Sequence, residues 1–102
     1  MNQLEKIVAE QDDKVTMIFE ALSDPGRFKV FKILVQNQGV CVTDMARLFK
    51  VTPSAISQRM KMLEMTGLVR RKRFGQMICY EVKKDDPLVK CVMKSLKGFY
   101  KK

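Results

Sequence analysis

With 102 residues and an apolar content of 46%, the chain is sized for one domain around one core. No stretch approaches the roughly 18 consecutive apolar residues of a membrane-spanning helix, and the acidic, amphipathic N-terminus lacks the layout of a secretory signal, so a cytoplasmic protein is expected. The net charge of +9 is unevenly spread: residues 1–24 hold two lysines against six carboxylates, so everything from Pro25 onward carries +13. Between Arg47 and Arg73 there are eight cations and one anion, Glu64. A solvated surface normally mixes its signs, whereas a basic block of this kind suits a duplex nucleic acid. Binding to a membrane surface would instead call for an amphipathic helix with lysines flanking its apolar face.

In chain order, Leu4, Ile7, Val8, Val15, Ile18, Phe19 and Leu22 recur at helical spacing, with a polar pause at residues 11–14. The pattern predicts one helix with a fray or bend over residues 3–22, with Met17 and Ala21 widening its stripe. Asp24 as N-cap and Pro25 at the first helical position start a second helix. It is expected to bury Phe28, Phe31, Ile33, Leu34 and Val35 in part, and to end at Gly39. Val40, Cys41 and Val42 make a short β-prone link.

Residues 43–67 predict two short helices joined by a tight turn. Thr43 is the expected cap of the first, and Met45, Leu48 and Phe49 its buried face. Lys50 and Val51 form the corner. Thr52 and Pro53 open the second helix, Ile56, Met60 and Leu63 form its inward stripe, and Gly67 ends it. At about 100° per residue, that stripe puts Ser54, Gln58 and Lys61 on the opposite side, with Ser57 beside them. Short polar and cationic groups on such a helix suit base edges and phosphates in a major groove. A helical hairpin with a merely solvated polar face has the same pattern, and the residues that follow decide between them.

After Gly67, the runs LVRRKR and QMICYEV flank Phe74-Gly75, a β-hairpin with Gly75 where positive φ is needed. Leu68, Ile78, Tyr80 and Val82 are expected to face the core, and Arg70, Arg71, Lys72 and Arg73 the outside. Four consecutive cations exceed what protecting a sheet edge requires. A helix-turn-helix followed at once by a basic hairpin is a winged helix. The fold class expected is therefore mainly α with a small β-hairpin, in the order helix, helix, short strand, helix, helix, strand, strand, helix.

The DNA-contacting set is then Thr52, Ser54, Ser57, Gln58, Arg59 and Lys61 on the helix, with Arg70, Arg71, Lys72, Arg73 and Gln76 on the wing. Phe74 at the tip is placed near a sugar. Asp85-Asp86-Pro87 opens a last helix, capped by Asp86, whose stripe is Leu88, Val89, Val92, Met93, Leu96 and Phe99. A winged-helix core of this size cannot easily cover both terminal helices, and the alternative to a dimer is that the two pack only within one monomer. The expectation is a homodimer joined through residues 1–22 and 87–100, with Leu4, Ile7, Val8, Leu88, Val92, Leu96 and Phe99 at the interface.

ALSDPGRFKVFKIL, GVCVTDMARLF, TPSAISQRMKMLEMTGLV and the hairpin RRKRFGQMICYEV together resemble the ArsR/SmtB family of small winged-helix repressors, in unbroken register from Phe19 to Val82. The resemblance implies a homodimer binding an inverted-repeat operator in double-stranded DNA, joined through its first and last helices. It also marks departures. Where many members carry Cys-x-Cys for metal sensing, this chain has Cys41-Val42-Thr43, and without any histidine the family's other zinc site cannot be assembled. Cys41, Cys79 and Cys91 show no metal-ligand spacing, so neither metal nor cofactor is expected.

Buried small-hydrophobe roles are expected for these cysteines. On that view, zinc, arsenite, chelator or mild oxidant changes DNA affinity by no more than about twofold. The alternative is a thiol-switched repressor in which a Cys41 or Cys91 thiolate forms a disulfide, which requires Cα atoms roughly 4.4–6.8 Å apart. No histidine, phosphate loop or nucleophile–base pair points to catalysis. A winged helix serving only protein–protein contacts is the remaining reading. The cationic wing speaks against it, because protein interfaces deplete lysine at their centres.

Overall fold

The computed structural model describes residues 1–100; Lys101 and Lys102 lie outside the described residues. Six helices and a small antiparallel sheet follow one another as α1 (Gln3–Ala9), α2 (Asp13–Leu22), α3 (Pro25–Gln36), β1 (Val40–Cys41), α4 (Val42–Phe49), α5 (Pro53–Met65), β2 (Val69–Phe74), β3 (Met77–Val82) and α6 (Pro87–Phe99). This is a winged helix-turn-helix. Strand β3 is central, with β1 on one edge and β2 on the other. The register pairs Val40 with Tyr80 and Cys41 with Cys79 on one side, and runs from Val69–Val82 to Phe74–Met77 on the other. Strand β1 is only two residues long, but the Gln38 side chain prolongs its pairing by accepting the Val82 N–H at 3.0 Å.

The core is made by one face of each central element. Val30, Phe31 and Leu34 of α3, Met45 of α4, and Ile56, Met60 and Leu63 of α5 are fully buried, as is Leu68 ahead of β2. Val69, Tyr80 and Val82 close it from the sheet, and Ile18, Ala21, Val89 and Leu96 add the inner faces of α2 and α6. Arg27 couples α2 to α3: its Nε donates to the Ala21 carbonyl at 2.8 Å and its Nη2 to the Glu20 carbonyl at 3.3 Å. A cation thus meets the orphan carbonyls at the end of α2.

The helix starts follow their caps. Asp24 accepts the Arg27 N–H at 2.9 Å, Thr52 accepts the Ala55 N–H at 3.1 Å, and Asp86 accepts from Leu88 and Val89, each with proline next in sequence. At the end of α5, Gly67 has φ +80° and the Leu68 N–H reaches back to the Leu63 carbonyl at 3.0 Å, a Schellman ending. Lys50 takes the left-handed conformation, φ 56°, at the corner between α4 and α5.

Four local expectations are corrected. Residues 3–22 form two helices, because Glu10 is extended (ψ 151°) and Asp12 lies outside helical geometry. α3 ends at Gln36, not Gly39, as Asn37 turns extended. α4 begins a residue before Thr43, and its N-cap is Cys41, which makes no side-chain capping bond. Leu48 is 67% exposed: in a helix of eight residues the inward face runs through Val42, Met45, Ala46 and Phe49, and Leu48 falls beside it.

Two stability measurements follow. Gly67→Ala meets no neighbouring atom within 4 Å, so its penalty is that of the left-handed backbone alone. Chemical denaturation should show a loss of about 1–2 kcal/mol. The hydrogen bond from Lys14, at 3.0 Å, is the main reason the Asp86 carboxyl sits below its usual range; partial burial opposes it, while the Leu88 and Val89 N–H groups assist. A depressed carboxylate contributes stability that is complete above its unfolded pKa and is lost as the pH falls through its folded one. Thermal melting should therefore show a decline in stability below about pH 4 that is shallower in Asp86→Asn.

Candidate nucleic-acid interface

Helix α5 is held by burial on one side and by its cap at the start. Ile56, Met60 and Leu63 have no exposed surface, so the azimuth of the helix is fixed against α3 and α4. Ser54, Ser57, Gln58 and Lys61 then stand exposed on the outer face, and Thr52 is exposed at the N-terminus. The N-terminal end is also where unpaired N–H groups favour a phosphate. Arg59 differs from its neighbours. It is half-buried, with its guanidinium 5.9 Å from the Phe49 ring centre and close enough to Gly26 that an added Cβ there would stand 2.9 Å from Nε. Its position ties α5 to α4 and to the first turn of α3.

The wing divides its cations by face. Side chains alternate along a strand, and Val69, Tyr80 and Val82 turn one face of the hairpin into the core. Arg71 and Arg73 continue that face outward, exposed and without a carboxylate partner among the described residues. Arg73 Nε instead donates to the Gly75 carbonyl at 3.2 Å, which braces the turn.

Arg70 and Lys72 lie on the opposite face. Lys72 Nζ is 3.1 Å from Glu81, and Arg70 meets both Glu81, at 3.7 Å, and Asp85, at 2.5 Å. The run of four cations therefore presents two free charges and two paired ones. The signal for this was in the sequence: a two-residue turn at Gly75-Gln76 places Arg70 opposite Glu81 and Lys72 opposite Cys79. Gln76 is exposed in that turn. Burial, and next the Glu64 carboxylate, hold the Tyr80 phenol above its usual range against the pull of Arg71, so Tyr80 stays a neutral floor beneath the free arginines.

The expected interface residues at the chain ends fall into two groups. Leu4, Ile7, Val8 and Phe99 are more than half exposed, and α1 buries no residue at all. Leu96 is buried within its own chain, while Leu88 and Val92 are half-buried on the core's edge. Between α2 and α6 runs a groove of about 740 Å³, with Val15, Phe19, Leu22, Val92, Leu96 and Phe99 among its lining residues. Cys91, exposed, also lines it. Cys41 is bonded to Cys79, and Cys91 is exposed, so the expectation that all three cysteines serve as buried small hydrophobes is corrected: strand register brings together two cysteines 38 apart in sequence.

A winged helix-turn-helix with a polar recognition face and a cationic hairpin is the architecture of a class of bacterial transcriptional regulators. The profile of bacterial regulatory proteins of the arsR family matches residues 24–71. The chain is an ArsR/SmtB-family winged helix-turn-helix transcriptional regulator. Its relatives include a transcriptional repressor SmtB homolog from Synechocystis sp., 32% identical over 78% of this chain and 60% of the relative. A cadmium resistance regulatory protein CadC homolog from Staphylococcus aureus is 29% identical over 88% of this chain and 74% of the relative. Among solved structures, the transcriptional regulator HlyU from Vibrio vulnificus aligns with a TM-score of 0.72 at 26% identity, over 88% of this chain and 91% of that one. The chain thus matches about 60% of the length of the SmtB homolog.

The division of the wing charges gives a direct comparison. Arg71→Ala and Arg73→Ala should each weaken binding to every duplex and lower the salt slope by about one. Lys72→Ala should do less, because that charge is already neutralised by Glu81. Fluorescence anisotropy titrations at several salt concentrations measure both.

Proposed function

We propose that this protein is a homodimeric, sequence-specific repressor that binds an inverted-repeat operator in double-stranded DNA. The observation that carries this is the adjacency of two unpaired wing arginines, Arg71 and Arg73, to a recognition helix whose outward face is Ser54, Ser57, Gln58 and Lys61. The helix enters the major groove and reads base edges through Gln58 and the serines, and Lys61 takes a phosphate. Thr52 caps the helix against the backbone. On the wing, Arg71 and Arg73 take phosphates or the neighbouring minor groove, with Gln76 at the turn. Arg70 and Lys72 contribute mainly by setting the hairpin's shape, and Arg59 by holding α5.

The dimer covers the α2–α6 groove and α1. An exposed apolar surface of that extent marks an association site, and its second copy is favoured by charge. The first 24 residues are net acidic, while α6 carries Lys90, Lys94 and Lys97. A winged helix confined to protein contacts would have no use for two free arginines beside the polar helix face. No metal enters the proposal, because Cys41 is engaged with Cys79 and the chain has no histidine.

A second reading is favoured by one observation, the Cys41–Cys79 bond, which closes a loop containing α4, α5 and β2. In that reading the repressor is thiol-switched. Two thiols lose two protons and two electrons to a peroxide, which leaves as water. The link then clamps β1 to β3 beneath the helix-turn-helix and alters its fit to DNA.

Selection of duplexes from a random pool, followed by titration, tests the main reading. The protein should enrich a two-fold symmetric site. If each protomer neutralises about three phosphates, log-affinity should fall with log-salt at a slope near −5. Gln58→Ala should relax the enriched sequence. Failure to enrich any duplex would refute the reading. Titration of the same duplex with reduced and oxidised protein tests the second reading: a change of tenfold or more, absent in Cys79→Ser, supports it, and equal affinities dismiss it.

A further inference from the structure

The wing ends in an apolar pair that neither the core nor the ion pairs account for. Phe74 and Met77 face each other across the Gly75-Gln76 turn as the last register pair of the hairpin, 59% and 52% exposed. Their pair lies three residue steps beyond Arg71–Tyr80, about 10 Å further out at the usual strand rise. Gly75, at φ 62°, keeps the turn narrow. By strand alternation the pair shares its face with Lys72, while Arg71 and Arg73 stand behind the tip on the opposite face. An exposed aromatic–thioether tip on a hairpin is an aggregation liability unless something covers it. Free arginines immediately behind it select a polyanion for that role rather than an apolar protein surface.

We infer that Phe74 and Met77 form a wedge that enters the minor groove beside each recognition helix and partly unstacks a base step, bending the operator. This rests on the DNA-binding function proposed above and adds a mode of sequence selection to it. Neither side chain can hydrogen-bond a base edge, so the pair gains by leaving water among sugars and base faces. A minor groove is only about 6 Å wide, and the two strands of a ribbon alone stand about 4.8 Å apart. The tip therefore fits only if the groove opens, and an opened groove with a wedged step bends towards the major groove. Arg71 and Arg73, behind the tip on one face of the hairpin, hold the phosphates along one side of the opening. Steps that unstack readily, pyrimidine followed by purine, would be preferred at that position although no side chain reads them.

The test uses the full chain and a duplex that it has itself enriched from a random pool, with dyes at both ends and 2-aminopurine at the flanking step. On saturation by the wild type, energy transfer between the ends should rise and 2-aminopurine should brighten. The double variant Phe74→Ala, Met77→Ala should still bind, about three- to tenfold more weakly, with both signals lost. Phe74→Leu, which keeps an apolar wedge, should retain both, and all variants should melt with the wild type. A wild type that binds without either signal, or an alanine variant that bends the duplex as fully as the wild type, overturns the wedge while leaving DNA binding intact. A wild type that enriches no duplex overturns DNA binding itself and the wedge with it.

Discussion

The complete burial of Ile56, Met60 and Leu63 is the constraint on which the rest of the structure depends. Three large side chains at helical spacing on one helix leave a single azimuth at which all are dry, and burying each stabilises the chain by roughly 1.5–3 kcal/mol. That azimuth decides which residues of α5 meet solvent. It also explains why the helix needs so little else: a threonine cap, a proline at its first position and a glycine to end it. The same burial reaches through Leu68 into β2, so the hairpin leaves the core at a set angle to the helix.

The electrostatics of the hairpin depend on that placement. Were the wing a loose loop, its four cations would be equivalent. Because β2 is registered on β3, Glu81 and Asp85 neutralise the face bearing Arg70 and Lys72, and the opposite face keeps its charge. Pairs exposed to this degree add little stability. Their effect is to concentrate the free positive charge on the side continuous with the core-facing edge of the sheet. A net charge of +9 thus overstates the field in some directions and understates it in others.

Much of this was legible in the sequence because it is local. Asp24-Pro25, Thr52-Pro53 and Asp86-Pro87 each mark a helix start by cap chemistry that needs no tertiary context, and the structure shows all three. The inward stripe of α5 follows from spacing alone. What escaped was set by partners distant in sequence or by short elements. A polar pause at residues 11–14 is compatible with a bend or a break, and α1, with no buried residue of its own, gives the pattern nothing to decide on. In α4, eight residues are too few for periodicity to separate Leu48 from the face beside it. The bond between Cys41 and Cys79 depends on β1 finding β3 across the whole helix-turn-helix. The pairing of Arg70 with Glu81 could have been derived from the two-residue turn, and the division of wing charges with it.

The central claim is that α5 occupies a major groove while the wing occupies the minor groove next to it. Chemical protection of an enriched duplex separates the two grooves base by base, since methylation by dimethyl sulfate reports guanine N7 in the major groove and adenine N3 in the minor. The account predicts guanine protection in two half-sites one helical turn, or a multiple of it, apart, about 10 bp per turn, with adenine protection just outside or between them. Gln58→Ala should release guanines, and alanine at Arg71 and Arg73 should release adenines. Protection confined to one groove, or none on a duplex that is demonstrably bound, would contradict it.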